Sequence, residues 1–91
     1  MQIKFTPTFK RDFKRYKKKH FDMEKLNKVI HLLIDRNTDI LRTQYKDHAL
    51  KGKWHGFREL HIEGDWLLIY QIDSDELILT LFRTGSHDDL F

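Results

Sequence analysis

Cysteine is absent from these 91 residues, so neither a disulfide framework nor a thiolate metal site is available. Proline occurs once and glycine four times, and no linker, repeat or low-complexity stretch divides the chain. No apolar run approaches the length of a membrane span, and the amino terminus reads as a strand rather than a secretory leader. No membrane partner and a cytoplasmic location are therefore expected. Acidic residues are scarce at the start: 1–20 hold Lys4, Lys10, Arg11, Lys14, Arg15, Lys17, Lys18 and Lys19 against Asp12 alone. That segment suits a polyanion or an acidic protein.

What is present suffices for one domain, 1–91, with one modest core. Hydrophobic residues make up 40% of the chain, including 2 Trp, 3 Tyr and 7 Phe. Residues 2–6 alternate as a strand. Thr6-Pro7 reads as an N-cap with proline at the first helical position, and Phe9, Phe13 and Tyr16 give one face to a helix over 7–19. Asp22 caps a second helix to about 36, with Leu26, Val29, Ile30, Leu33 and Ile34 as its apolar stripe. Residues 37–53 read as an irregular loop. Three strand-like runs follow, 54–62, 66–72 and 77–84, separated by breaks too short for a parallel crossover. The predicted order is β-α-α-β-β-β: an α+β fold, with an antiparallel meander, an N-terminal strand and a two-helix hairpin on one face. Trp66 to Ile72 is almost continuously apolar, which suits a central strand covered on both faces.

The polar groups cluster at the strand ends. His61, Asp65 and Trp66 flank the first turn of the meander, and Arg83 and His87 end its last strand. The third strand runs in the direction of the first, so its end returns to the His61 end. His48 lies in the preceding loop, whereas His20, His31 and His55 read as ordinary surface residues. A pair of histidines can hold a proton donor and an acceptor at neutral pH. Arg83, followed by Thr84-Gly85-Ser86, could hold an anion with side-chain and backbone donors. RNA scission by 2′-OH attack would use both. Zinc is a weaker reading, because no compact H-x-x-x-H or H-x-H spacing occurs. No cofactor is expected. Phe91 could stack on a base or anchor the tail in the core.

The runs Y-K-D-H-A-L-K-G at 45–52, W-H-G-F-R-E-L-H at 54–61, D-W-L-L-I-Y at 65–70 and R-T-G-S-H-D-D-L-F at 83–91 resemble the YafQ-type toxins of the RelE superfamily, from bacterial type II toxin–antitoxin systems. The resemblance is specific over 45–91 and general over 1–36. It implies a RelE-like, microbial RNase-like fold and an endoribonuclease (an mRNA interferase) that cuts mRNA in the ribosomal A site. It also implies the 70S ribosome as a partner, and a small cognate antitoxin with an acidic segment and a DNA-binding dimer. By position, the catalytic set falls on His48, His61, Asp65, Arg83 and His87. Phe91 and Lys46 would meet substrate, and Trp66 would be structural. The Lys/Arg/Tyr sets of other RelE-type toxins have no clear counterpart beyond Arg83. The α-carboxylate of Phe91 is expected beside the site. His87 is then the better acid, His61 or Asp65 the base, and His48 orients or shares the base task. Two rival readings are a non-catalytic basic module that binds RNA or an acidic protein through 10–19, and a histidine-based zinc protein.

Overall fold

The structure, a computed structural model, describes residues 1–91. Strand β1 (Gln2–Phe5) leads into helix α1 (Pro7–Lys18). Thr6 caps that helix: its hydroxyl accepts from the Phe9 amide and donates to the Phe82 carbonyl, so the cap also ties α1 to the sheet. Helix α2 (Met23–Ile34) starts at Asp22, whose carboxylate accepts from the Glu24 amide. Strands β3 (Arg58–Glu63), β4 (Trp66–Asp73) and β5 (Ile78–Gly85) form the antiparallel meander.

Residues 37–53 correct the expectation of an irregular loop. They contain helix α3 (Thr38–Tyr45), the two-residue strand β2 (His48–Ala49) and the start of a 3₁₀ turn, Gly52–Trp54. Eight residues are too few to display a helical period, and the Asn37 N-cap side chain makes no capping bond. The helix stops where Lys46 turns left-handed. The first meander strand also starts later than expected, at Arg58. Gly56, at φ +95°, lets the chain turn out of the 3₁₀ segment before pairing begins. A short fourth helix, α4 (His87–Leu90), replaces the expected terminal turn.

The sheet has five strands in the order β1-β5-β4-β3-β2. β1 lies parallel to β5, and every other pair is antiparallel. Helices α1, α2 and α3 cover one face. Phe9, Tyr16, Leu26, Val29, Leu33 and Leu41 pack there against Leu60, Leu68, Tyr70, Leu79 and Leu81. The other face carries a smaller cluster, in which Leu67, Ile69 and Leu90 are covered by Leu50, Trp54, Phe57 and Phe82. The central strand β4 is thus buried on both sides, as its composition predicts. No helix is long and apolar enough to cross a membrane.

Candidate active site

Strand alternation divides the polar residues between the two faces. In β3, Glu59 and His61 point away from the helices, opposite Ile69 and Leu67 of β4. Arg58 points to the helix side, where its guanidinium pairs with Asp47 at 3.0 Å. The Tyr70 hydroxyl donates to the same Asp47, and burial followed by that hydrogen bond raises its pKa. A cavity of about 530 Å³ opens beside this trio, lined also by Arg36 and Arg42; no histidine lines it.

His48 and His61 stand together on the outer face, with ring centroids 6.5 Å apart. His48 Nδ1 lies 2.7 Å from the Lys46 carbonyl oxygen. The left-handed conformation of Lys46 belongs to the end of α3, so the newly found helix sets the bond that orients His48. The Lys46 side chain itself is solvent-exposed. His61 Nδ1 lies 3.1 Å from the Gly64 carbonyl oxygen, in the β3–β4 turn. Gly64 sits at φ +53°, a conformation that side-chain-bearing residues adopt rarely. Because a carbonyl oxygen only accepts, each Nδ1 carries a hydrogen.

Asp65, next in the same turn, reaches across to the C-terminal segment. Its Oδ1 accepts from the His87 amide at 3.1 Å and lies 3.9 Å from His87 Nδ1. His87 is exposed on the first turn of α4, and its ring centroid is 5.2 Å from that of Phe91. The Phe91 ring is exposed and lies 6.0 Å from Trp54. Leu90, and not Phe91, anchors the tail in the core. The structure therefore brings His48 with His61, and His87 with Asp65 and Phe91, at two ends of one turn.

Arg83 is arranged differently from the expectation. Its Nε and Nη2 donate to Asp12 at 3.0 and 3.1 Å, so half of the guanidinium fork faces α1. The hydrogen bond to Asp12 raises its pKa. The backbone donors after it are also engaged: the Thr84 amide with Asp12 and the Ser86 amide with the Tyr16 hydroxyl. The Thr84-Gly85-Ser86 stretch is thus not an open anion cradle. Trp66 has a structural place. Its indole N–H donates to the Thr84 hydroxyl at 2.9 Å, and its ring stacks with Tyr16 and meets Phe21 edge to face.

The sequence reading missed Asp12, Tyr16, Glu59 and Asp89. Tyr16 holds the C-terminal segment, donating to Asp89 at 2.5 Å while accepting from Ser86 at 2.8 Å. Gly85 permits that approach, because a Cβ there would lie 3.2 Å from the Tyr16 hydroxyl. Asp12 was visible as the one acid in a basic segment. Glu59 was visible as the residue two before His61, on the same strand face.

The chain matches, over residues 1–91, the model of the bacterial toxin of type II toxin–antitoxin systems, YafQ. It is 45% identical over 89 residues to the mRNA interferase toxin YafQ of Escherichia coli strain K12, covering 98% of this chain and 94% of that one. The fold matches YafQ in a crystal structure of the E. coli DinJ–YafQ complex, with a TM-score of 0.86 and 42% identity, over 99% of this chain and 97% of that one. It also matches a metal-bound toxin from Helicobacter pylori, with a TM-score of 0.89 and 42% identity, over 100% and 99% of the two chains.

Proposed function

This chain belongs to the YafQ family of bacterial type II toxins, and on that premise we propose that it is an mRNA interferase whose outer sheet face cuts RNA by 2′-OH attack. The observation that carries the chemistry is the state of His61. With Nδ1–H turned to the Gly64 carbonyl, a neutral ring leaves its Nε2 lone pair free to accept a proton. His61 takes the proton of the 2′-OH, and that oxygen bonds to the adjacent phosphorus. The bond from phosphorus to the 5′-oxygen breaks, and His87 supplies the proton that the leaving oxygen needs. Asp65 fixes His87 through its backbone amide. Phe91 offers an exposed ring beside His87 for a base to stack on, and Lys46 offers charge near His48. The unengaged Nη1 of Arg83 is the part of the fork left to meet phosphate. His48 orients the substrate or shares the base task.

The ribosome, with mRNA in its A site, is the proposed setting. A body of this size has little surface on which to hold a flexible RNA, and positioning is much of catalysis. A cognate antitoxin is the proposed partner, supported by the solved complex of the E. coli relative with DinJ.

Cleavage by translating ribosomes tests the reading. His87→Ala should lower the single-turnover rate by roughly 10²–10⁴ while leaving the fold intact. The products should carry a 2′,3′-cyclic phosphate or 3′-phosphate and a 5′-hydroxyl. Cleavage of a substrate with 2′-deoxyribose at the cut site would overturn the mechanism. Chelation of zinc, with ribosomal magnesium kept, should leave activity unchanged; loss restored by zinc alone would put the metal reading first.

A further inference from the structure

We propose that Trp54 is a substrate-binding residue: its indole takes the second base past the cut, next to the base on Phe91, on the leaving-group side. Its place in the reaction rests on the ribonuclease reading; the affinity of the ring for single-stranded RNA does not.

The chain holds two tryptophans, and their surroundings differ. Trp66 is 4% exposed, and its indole N–H is engaged by the Thr84 hydroxyl. Trp54 is only partly buried, at the end of the 3₁₀ turn Gly52–Trp54. One side of its ring packs on the Leu67–Ile69–Leu90 cluster. Its indole N–H meets no acceptor in the protein and is not enclosed by it. A tryptophan wholly committed to a core usually pairs that N–H, as Trp66 does. One with a packed apolar side and an open polar edge suits an interface. Covering the cluster accounts for the packed side of Trp54 but not for the open N–H. Phe57 and Phe82, which meet edge to face at 4.5 Å, already cover the same cluster.

The position of the ring selects the ligand. The Phe91 ring centroid lies 5.2 Å from that of His87 and 6.0 Å from that of Trp54. Phe91 thus touches both, and the three rings form a row that starts at the proposed acid. His87 protonates the leaving 5′-oxygen, so the base on Phe91 belongs to the nucleotide that carries that oxygen. The next ring in the row meets the next nucleotide. The Phe91 and Trp54 planes stand at 73°, which excludes one continuous stack over both. That angle suits two bases splayed apart, the way single-stranded RNA is held on aromatic side chains. Lys51 and Lys53, both exposed, lie in the same short segment just before the ring. Basic groups beside an aromatic ring hold a single strand with little regard to which base it presents.

The test begins on the free protein. Because Trp66 is buried, quenching of tryptophan fluorescence by added RNA reports Trp54. A 2′-O-methyl tetranucleotide, which cannot be cleaved, should quench the emission saturably, and the same oligomer built of abasic sugars should not. No quenching by the tetranucleotide, equal quenching by both oligomers, or quenching that persists in Trp54→Phe overturns the proposal. Trp54→Leu keeps an apolar cover over the cluster and removes the aromatic face. In cleavage by translating ribosomes it should lower the second-order rate constant roughly 5- to 150-fold, the range set by loss of one stacked base. Trp54→Phe should recover most of that loss. On a message that is abasic at the second nucleotide past the cut, the wild-type protein and Trp54→Leu should cleave equally fast. A loss that persists on the abasic message would show that Trp54 acts by packing alone. Should Trp54→Leu not fold, the titration of the wild-type protein decides. If the wild-type protein cleaves no RNA at all, the ribonuclease reading fails while the titration still judges Trp54.

Discussion

Asp12 is the single acid among the first twenty residues, and it is also among the most buried polar groups, at 2% exposure. Its two oxygens accept from Arg83 Nε and Nη2, from the Thr84 amide at 3.2 Å and from Arg15 Nη2 at 3.3 Å. Burying a carboxylate is costly unless its acceptor sites are filled, as they are at Asp12. The pair therefore joins α1 to β5 and fixes which half of the Arg83 fork remains unengaged. Replacing Asp12 by alanine leaves a partly desolvated guanidinium and an unpaired amide. The expected loss is about 3–5 kcal/mol, measurable by urea denaturation. Wild-type stability of Asp12→Ala would mean that water compensates the arginine fully. Arg83→Lys retains charge but only one of the two parallel contacts, so it should lower activity more than stability. The sequence signalled this position only as an oddity of charge. Its partner is 71 residues away, and nothing local announces such a pairing.

At the scale of elements, α4 is the piece that carries His87, and it is too short to hold itself in place. It is fastened at three points: Asp65 to the His87 amide, the Ser86 hydroxyl to the Asp89 amide, and Tyr16 between Ser86 and Asp89. The Tyr16 hydroxyl, ahead of the Arg15 and Lys19 charges, holds the Asp89 carboxyl below its ordinary 3.8. A depressed value means that the folded state favours the ionised form. The fastening is complete above pH 3.8 and is lost as pH falls through the lower folded value. Amide protection at Leu90 and Phe91 should therefore drop in acid before protection in β4 does. Tyr16→Phe should show the unprotected tail already at neutral pH and lose that acid step. Coincident loss in the tail and β4 would show that α4 is not a separate fastening. The helices that hold this mount were legible, because Thr6-Pro7 and Asp22 are strong start signals and the aromatic spacing in α1 is periodic. The meander was legible from its short breaks. Helix α3 was not, since two turns with Leu41 alone buried leave no period to read. The placement of β1 was not legible either: its partner is β5, at the far end of the chain, and parallel pairing leaves no local turn signal.

For the whole molecule, the decisive property is the separation of the basic helix from the proposed catalytic histidines. Lys10, Arg11, Lys14, Lys17 and Lys18 remain exposed along α1, on the helix side, while His48, His61 and His87 belong to the outer face. The second apolar cluster closes that outer face, so His48 and His87, both exposed, and the partly buried His61 sit on an apolar floor rather than in a deep pocket. A partner that silences the protein has two ways to do so: cover the histidines, or neutralise α1. An acidic antitoxin segment would use α1, or bridge both. The energy of such a contact is largely Coulombic between exposed groups, and salt screens it over about 8–10 Å. Affinity for the cognate antitoxin should therefore weaken markedly as ionic strength rises from about 0.05 to 0.5 M. Lys14→Glu combined with Lys18→Glu should weaken binding and flatten the salt dependence, whereas His87→Ala should leave the slope unchanged. Titration calorimetry across a salt series measures both quantities. Binding that ignores salt would exclude the electrostatic account. It would point instead to the groove between the first two helices, where Phe13, Met23, Leu26 and Ile30 line a cavity of about 230 Å³.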